Sequence, residues 1–468
     1  MLGARLAALL STVVIVAGAG CGHPPPGPAP SKPQTVWAWG SNWYGQIGNS
    51  VNGFVDVEPQ RVNDLIDVLS VAAGRSHSVA LTRDGSVWQW GSVGSNLKNV
   101  GGNSIRRCPH PTPGEYGNTY TTDLMCDVRP TKVSNLGKAR QIAAGVNFTL
   151  AIMDDSTLCR WGSQSHGQLS NVTWNGLEVT DPVCTAPPTG VDFVLVDGGG
   201  GGGWSLRVPL RNRPTGYWND AGHSLALAVV PRRPGSSERE FEVWAWGRND
   251  HWQTGAPSSC ADLCAQPLKP VPVPASAELA NVMFLSAGGA HSLAVKTDHS
   301  VWAWGSQEEG QLGVPGKSDD ISTPVRVVTN DTGPEILLDD VTDVAAGDNF
   351  SLALKWDRTV WAWGLNNFGQ LGVPNELQRT VQLSARQVPG LDNVRKIAAG
   401  DSFALALKYD GTLWAWGRND HGQLGVQTSD KCGPRLDVNC SFSPIQVNLA
   451  GVTEIAAGGA HSLALVPS

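Results

Sequence analysis

The chain has 468 residues, 41% of them hydrophobic and 16% charged, with a net charge of −7 at neutral pH. No basic stripe runs along it, which excludes an electrostatic nucleic-acid binder and a protein drawn to anionic membrane surfaces. The apolar content suffices for a large core, while 55 glycines and abundant β-branched and aromatic residues exclude a solenoid of helices.

In chain order the first feature is Arg5, followed by an apolar stretch from Leu6 to Ala17. That stretch is too short to span a bilayer and has the length of an export signal. Ala19-Gly20-Cys21 resembles a bacterial lipoprotein processing site, which implies that residues 1–20 are a signal peptide and that Cys21 carries lipid at the mature N-terminus. Gly18 stands where such sites usually have Leu, and cleavage after Ala17-Gly18-Ala19 would instead release a freely secreted protein. Residues 21–35, with Pro24, Pro25, Pro26, Pro28, Pro30 and Pro33, form a stiff extended tether. The expected location is therefore outside the cytoplasm, as a cell-envelope lipoprotein at the outer membrane or cell surface, or secreted if unlipidated. Any membrane association would be through the lipid alone.

From residue 36 to 468 one phrase recurs seven times: Val36-Trp37-Ala38-Trp39-Gly40, then copies ending at Gly91, Gly162, Gly247, Gly305, Gly364 and Gly417. A second phrase, Ala-Ala-Gly-x-x-His-Ser-x-Ala-Leu, interleaves with it at Ala72 to Leu81, Ala143 to Ile152, Ala287 to Val295, Ala345 to Leu354, Ala398 to Leu407 and Ala456 to Leu465, with a worn copy at Ala221 to Leu227. Repetition at this spacing predicts stacked supersecondary units. Each unit reads as four short strands; in the fifth these are Val344–Ala346, Phe350–Leu354, Thr359–Trp363 and Ala385–Val388. Trp361 and Trp363 share one face and Val360 and Ala362 the other, so both faces are apolar, as in a sheet held between neighbouring sheets. Asp84-Gly85 and Asp410-Gly411 give tight hairpin turns between second and third strands. The predicted fold is all-β: a seven-bladed β-propeller of four-stranded antiparallel blades. The chain opens on one phrase and closes on the other, so N-terminal strands must join the C-terminal blade.

These phrases, with the loop Arg418-Asn419-Asp420-His421-Gly422-Gln423-Leu424-Gly425 and its near copy Leu365 to Gly372, resemble the regulator of chromosome condensation repeat family, a group of seven-bladed propellers. The resemblance spans roughly residues 34 to 467. It implies fold more strongly than function, because propellers host unrelated activities.

Of nine cysteines, Cys21 aside, eight fall in local pairs: Cys108 with Cys126, Cys159 with Cys184, Cys260 with Cys264, and Cys432 with Cys440. Eight cysteines allow 105 pairings, and proximity favours these four. A disulfide at Cys159 would substitute for the first Trp of its strand. Cys108, His110 and Cys126 fit no common zinc spacing, so no metal is expected, nor any cofactor.

Catalytic chemistry is hard to find. His77, His223, His291 and His461 occupy one repeat position and suit a structural hydrogen bond, and His166, His251 and His421 share another. Asp154-Asp155, Asp319-Asp320 and Asp339-Asp340 lie in loops, and the run from Gly198 to Gly203 lacks the ending of a phosphate loop. Thirteen of the nineteen tryptophans belong to the repeated phrases and suit packing between blades. The two longest intervals mark insertions at about 92–130 and 196–242, with a smaller excursion at 164–181. They hold Tyr116, Tyr120, Trp174, Trp204, Trp218, Arg207, Arg211 and Arg213, residue types that dominate interfaces. Trp43 and Trp252, in the loops after their Trp phrases, are further partner-binding candidates.

The expected function is a non-enzymatic, monomeric binding module presenting rim loops to a protein or extracellular ligand. The resemblance implies two other readings, guanine-nucleotide exchange as in the eukaryotic namesake and inhibition of a secreted enzyme. A cell-surface hydrolase would need a polar cluster in the channel or on a rim.

Overall fold

A computed structural model of the protein describes residues 32–49, 55–92, 105–107, 125–162, 179–187, 191–198, 222–231, 239–255, 271–272, 279–317, 319–373, 381–433 and 436–468. Seven antiparallel sheets follow one another around a channel. Blade 1 runs Val68–Ala73, His77–Thr82, Val87–Ser92 and Met125–Lys132. Blade 2 comprises Ala139–Ala144, Phe148–Met153, Leu158–Gly162 and Val179–Thr185, and blade 3 comprises Asp192–Gly198, His223–Pro231, Arg239–Gly247 and Val271–Pro272. Blade 4 is Val282–Ala287, His291–Lys296, Val301–Gly305 and Ile321–Arg326. Blade 5 is Val341–Ala346, Phe350–Lys355, Val360–Leu365 and Val381–Gln387, and blade 6 is Val394–Ala399, Phe403–Lys408, Leu413–Arg418 and Val438–Val447. Blade 7 takes Glu454–Ala457 and His461–Pro467 from the C-terminus and Gln34–Ser41 and Val55–Arg61 from the N-terminus. The ring thus closes as expected, Gln34 pairing with Pro467 and Gly40 with His461.

Several details depart from the expectation. Blades 1 and 6 carry a fifth outer strand, Ile105–Arg107 and Asp430–Cys432. The fourth strand of blade 5 starts at Val381 rather than Ala385. The expected insertions at 92–130 and 196–242 include blade strands, so the excess chain is confined to the stretches between them. Blade 3 hid this because Val196-Asp197-Gly198 stands where other blades have Ala-Ala-Gly, with the excursion falling between its first and second strands.

The Asp84-Gly85 and Asp410-Gly411 turns form as expected, and the same turn is made elsewhere without glycine. What recurs is not Asp-Gly but Asp-x-Ser/Thr: Asp84, Asp155, Asp298, Asp357 and Asp410 each accept the backbone N–H two residues on, at 2.9–3.0 Å. The residue between them is left-handed whatever its identity, φ being 83° at Gly85, 67° at Ser156, 64° at His299, 69° at Arg358 and 79° at Gly411. The Asp side chain closes the turn, so glycine is optional.

Blades are joined by the repeated tryptophans. The second Trp of five phrases is fully buried and donates its indole N–H to the backbone carbonyl of a Gln in the preceding blade: Trp39 to Gln423, Trp90 to Gln46, Trp304 to Gln253, Trp363 to Gln311 and Trp416 to Gln370, at 2.8–3.0 Å. Four of those carbonyls also accept a serine hydroxyl from the same following blade: Ser78, Ser292, Ser351 and Ser462. His461, His223 and His291 in turn lie with Nε2 at 2.8–2.9 Å from the hydroxyls of Ser78, Ser292 and Ser351, and His77 reaches Thr149 at 3.1 Å. Because each serine already donates to a carbonyl, the imidazole must donate to it, which sets the Nε2–H tautomer. Burial pushes these imidazoles down to about 4 at His77 and about 3 at the other three. The structural role expected of them is what the geometry shows.

The sequence after Gly91 carries no Asn-x-x-Gly-Gln motif, and Trp161 of blade 2 bonds to the side-chain oxygen of Gln89, 2.5 Å away, a residue that occupies the Ala place of its own Trp phrase. Changing Gln89 to Leu should leave a buried indole N–H without an acceptor and cost about 1–3 kcal/mol, measured by urea unfolding. An unchanged midpoint would mean that Trp161 finds another acceptor.

Of the expected disulfides, Cys159–Cys184 and Cys432–Cys440 are formed, the former across a register pair of blade 2. Cys126 is disulfide-bonded, while Cys108, Cys260 and Cys264 lie outside the described residues.

Candidate partner-binding rim

Strand direction sorts the connections onto two rims. First-to-second and third-to-fourth connections emerge at one, the loop rim; second-to-third turns and the links between blades emerge at the other, the terminal rim. Gln34 starts its strand and Pro467 ends its own at the terminal rim, where Ser468 N–H bonds to the Pro33 carbonyl. The stretches 93–104, 108–124, 163–178, 199–221 and 256–270 all begin and end at the loop rim.

Tyr116, Tyr120, Trp174, Trp204, Trp218, Arg207, Arg211, Arg213, His166, His110 and Cys21 lie outside the described residues. Trp43 and Trp252 are described, and both sit half-buried in loops of the loop rim.

Those loops are rigid frames. Asn42, Asn249, Asn366 and Asn419 accept through Oδ1 the backbone N–H five residues on, at Ile47, Thr254, Leu371 and Leu424. Gln46, Gln253, Gln311, Gln370 and Gln423 accept through Oε1 the N–H two residues back, while their carbonyls hold the next blade. The motif Asn-x-x-Gly-Gln is therefore a brace, and the two variable positions inside it are displayed: Trp43-Tyr44, Asp250-His251, Glu308-Glu309, Asn367-Phe368 and Asp420-His421. Sequence alone points to Trp43 but not to Tyr44 or Phe368, which sit inside a repeated motif; the signal for them is variability inside a constant frame.

The glycine of the brace packs close to the fourth strand of the following blade. A Cβ at Gly45 would fall 2.9 Å from Val128 Cγ1, and one at Gly369 2.8 Å from the Ser441 carbonyl. Blade 3 has Trp252 in that place, at φ 63°. A left-handed backbone costs an L-residue about 1–2 kcal/mol, so this tryptophan is held against local preference. Trp252→Gly should match or exceed the parent in thermal stability despite losing an aromatic side chain. A fall of more than about 5 °C, beyond the 2–4 °C that 1 kcal/mol typically moves a domain, would show that Trp252 stabilises the loop.

Charge around Trp252 is organised. Arg248 grips Asp250 with two bonds, at 2.6 and 2.5 Å, and His251 Nδ1 lies 2.7 Å from Asp320 Oδ2 on blade 4. The Asp320 bond raises the His251 pKa above its ordinary value, against burial. Burial would raise Asp250, but Arg248 outweighs it and holds the carboxyl low. Blade 6 repeats the pattern with Arg418, Asp420 and His421, Arg418 lying over the Phe368 ring at 4.9 Å.

The channel is lined by the innermost strands and is more charged than the sequence suggested. Lys396 pairs with Glu454, Asp343 is raised to about 6 by burial with Lys396 opposing, and Asp197 is raised by burial. Asp197 accepts the N–H groups of Ala287, at 2.9 Å, and Gly198, at 3.0 Å, and so links blade 3 to blade 4. Among the described residues no three His, Cys, Asp or Glu side chains gather as a metal-holding group.

Comparisons with known proteins agree with the architecture. The RCC1-like domain model matches residues 222–468, more than half of the chain, and the regulator of chromosome condensation (RCC1) repeat matches residues 35–81 and 68–96. The chain belongs to the RCC1-like propeller family. Among its relatives, protein pim1 of Schizosaccharomyces pombe is 26% identical over 454 residues, covering 92% of this chain and 74% of that protein. The ultraviolet-B receptor UVR8 of Arabidopsis thaliana is 26% identical over 406 residues, covering 85% of this chain and 74% of the receptor. The solved structure of Prp20p from Saccharomyces cerevisiae, described with its binding to Gsp1p and histones, superposes with a TM-score of 0.66 at 18% identity, covering 94% of this chain and 92% of that one. Human WBSCR16 gives 0.67 at 20%, covering 93% and 99%. These structural likenesses concern the fold.

Proposed function

We propose that the protein is a non-enzymatic binding module of the bacterial cell envelope, tethered through residues 21–35 and engaging a protein partner with its loop rim. One observation carries this reading: the chain before Gln34 leaves from the terminal rim, whereas the long excursions and the braced loops emerge at the opposite one. A tethered propeller so arranged holds its variable surface away from the anchor. The braces lower the ordering cost of binding, because Trp43, Tyr44, Phe368 and Trp252 are presented on backbone that is already held. Protein binding by relatives, as described for Prp20p, supports the class of function.

The test is affinity capture from envelope and medium with the disulfide-intact propeller as bait, compared with a variant carrying Trp43→Ser, Tyr44→Ser, Trp252→Gly and Phe368→Ser. A stoichiometric protein captured by the parent and lost by the variant supports the reading. Equal capture by both would move the interface off the loop rim, and hydrolysis of an envelope polymer dependent on Asp343 would replace the reading with an enzymatic one.

A further inference from the structure

The terminal rim carries several exposed apolar side chains. The large hydrophobic residues exposed among the described residues are Ile66, Phe241, Ile336, Trp356, Tyr409, Leu383 and Leu436. Ile66, Phe241, Trp356 and Tyr409 lie at the terminal rim; Ile336 lies beside the outer strand of blade 5, on a link whose Val328 carbonyl accepts the Ala385 N–H and whose Asp331 accepts from Ser384. Ile66 sits in a link between blades, and Trp356 and Tyr409 sit in second-to-third turns. Phe241 sits near the start of the third strand of blade 3, on a hairpin whose pairs Val229–Phe241, Val230–Glu240 and Pro231–Arg239 extend beyond the level where other blades turn.

Trp356 and Tyr409 are not loose. Trp356 N–H bonds to the Asp340 carbonyl, and its ring meets His299 edge-on at 5.5 Å. Tyr409 N–H bonds to the Asn393 carbonyl, and its ring lies under Arg358 at 4.0 Å. Arg358 and His299, which support the two rings, both hold left-handed backbone. The four residues are spread around the ring rather than gathered in a groove, so the surface they fit is broad and flat.

We propose that the terminal rim is a membrane-contact face, on which these side chains enter the interfacial layer of the bilayer that bears the Cys21 lipid. The proposal rests on the tether reading in one respect: the chain leaves from this rim, and residues 22–33 in extended form reach only about 37 Å at 3.1 Å per residue, which keeps the rim near any bilayer that holds Cys21. The chemistry is that of an interface. Trp and Tyr combine an apolar ring with a polar edge and favour headgroup depth, and Ile66 and Phe241 add apolar area. Anionic lipid should add little, because on the same rim Arg83, Lys296, Lys355, Arg358 and Lys408 stand beside Asp84, Asp298, Asp357 and Asp410, whose carboxyls are held below their ordinary range by turn hydrogen bonds and stay ionised.

The test uses a chain beginning at residue 22, which retains every strand of all seven blades, and flotation with zwitterionic phosphatidylcholine vesicles. The parent should float, and Ile66→Ser, Trp356→Ser and Tyr409→Ser combined should lower its partitioning about tenfold or more, with an unchanged melting temperature showing that the fold survives. Replacing part of the lipid with phosphatidylglycerol should change binding little. A parent that does not float, or a triple variant that floats equally, overturns the proposal. Acylation of Cys21 is read separately by fatty-acid labelling of the full chain. Flotation without acylation leaves the membrane face standing and removes the anchor; acylation without flotation does the reverse.

Discussion

A chain lacking residues 34–48 is expected to show no cooperative thermal transition, whereas one in which residues 200–221 are replaced by a short Gly-Ser link should melt within about 5 °C of the parent, a shift equivalent to roughly 1–2 kcal/mol. The first deletion removes the third strand of blade 7 with Trp39, whose loss alone typically costs about 3–5 kcal/mol. It also removes the Gln46 carbonyl, so that Trp90 Nε1 and Ser78 Oγ lose a buried acceptor, about 1–3 kcal/mol each. Val36 and Ala38 are withdrawn from the cluster they share with Leu463 and Leu465. Together these amount to about 5–11 kcal/mol before the lost apolar burial is added, comparable with the about 5–15 kcal/mol that holds a domain folded. The second deletion is benign only if its bounds respect the blade. Gly198 pairs with Ser224, so a short link can join the two strands there, but a cut starting at residue 196 would remove Asp197 and its bond to blade 4. Differential scanning calorimetry of both variants decides the matter, and equal destabilisation would mean that the closure is no more essential than the excursion.

Replacing His461 with Phe is expected to make the protein more acid-resistant. His461 is buried and depressed to about 3, while an unfolded histidine titrates near 6.5. Between those values the unfolded chain binds a proton that the native chain does not, so stability is complete above about pH 6.5 and falls by about 1.4 kcal/mol per pH unit below it for each such histidine. Asp343, raised to about 6, works in the opposite sense: the native chain binds its proton first, so part of the histidine loss is offset below pH 6. The molecule tests the substitution on itself, because Phe403 holds the equivalent place in blade 6 while Ser462 of blade 7 still donates to Gln423. His461→Phe would give Ser78 the same arrangement, its bond to Gln46 retained. Relative to the parent, the variant should therefore be near neutral at pH 7.5 and gain about 2 kcal/mol at pH 5. Denaturant unfolding across this range measures it, and parallel pH profiles for parent and variant would show that the imidazole protonates in the native state.

The fold was legible because every blade meets the same surroundings. A Trp that packs on the preceding blade and a small-residue strand that lines the channel are needed seven times over, so the requirement appears seven times in the chain, and the half-repeats at the two ends state how the ring closes. The disulfides Cys159–Cys184 and Cys432–Cys440 were legible for a related reason, since local pairs in one blade stay local. The candidate site was less so. Trp43 and Trp252 were picked out as aromatics in loops, but the brace that displays them depends on a Gln carbonyl satisfied by another blade.

Composition, periodicity and the order of the two phrases by themselves determined an all-β ring of seven blades closed by both ends of the chain. Only the tertiary structure decided that Gln89 supplies the acceptor for Trp161, that Asp197 links blades 3 and 4, that Trp252 holds a backbone suited to glycine, and that the chain before Gln34 leaves from the rim opposite the braced loops. The division has one physical cause. Strand periodicity and turn chemistry are set by neighbours in sequence, whereas an acceptor for a buried N–H, or the rim to which a loop projects, is set by residues that meet only when separate blades pack.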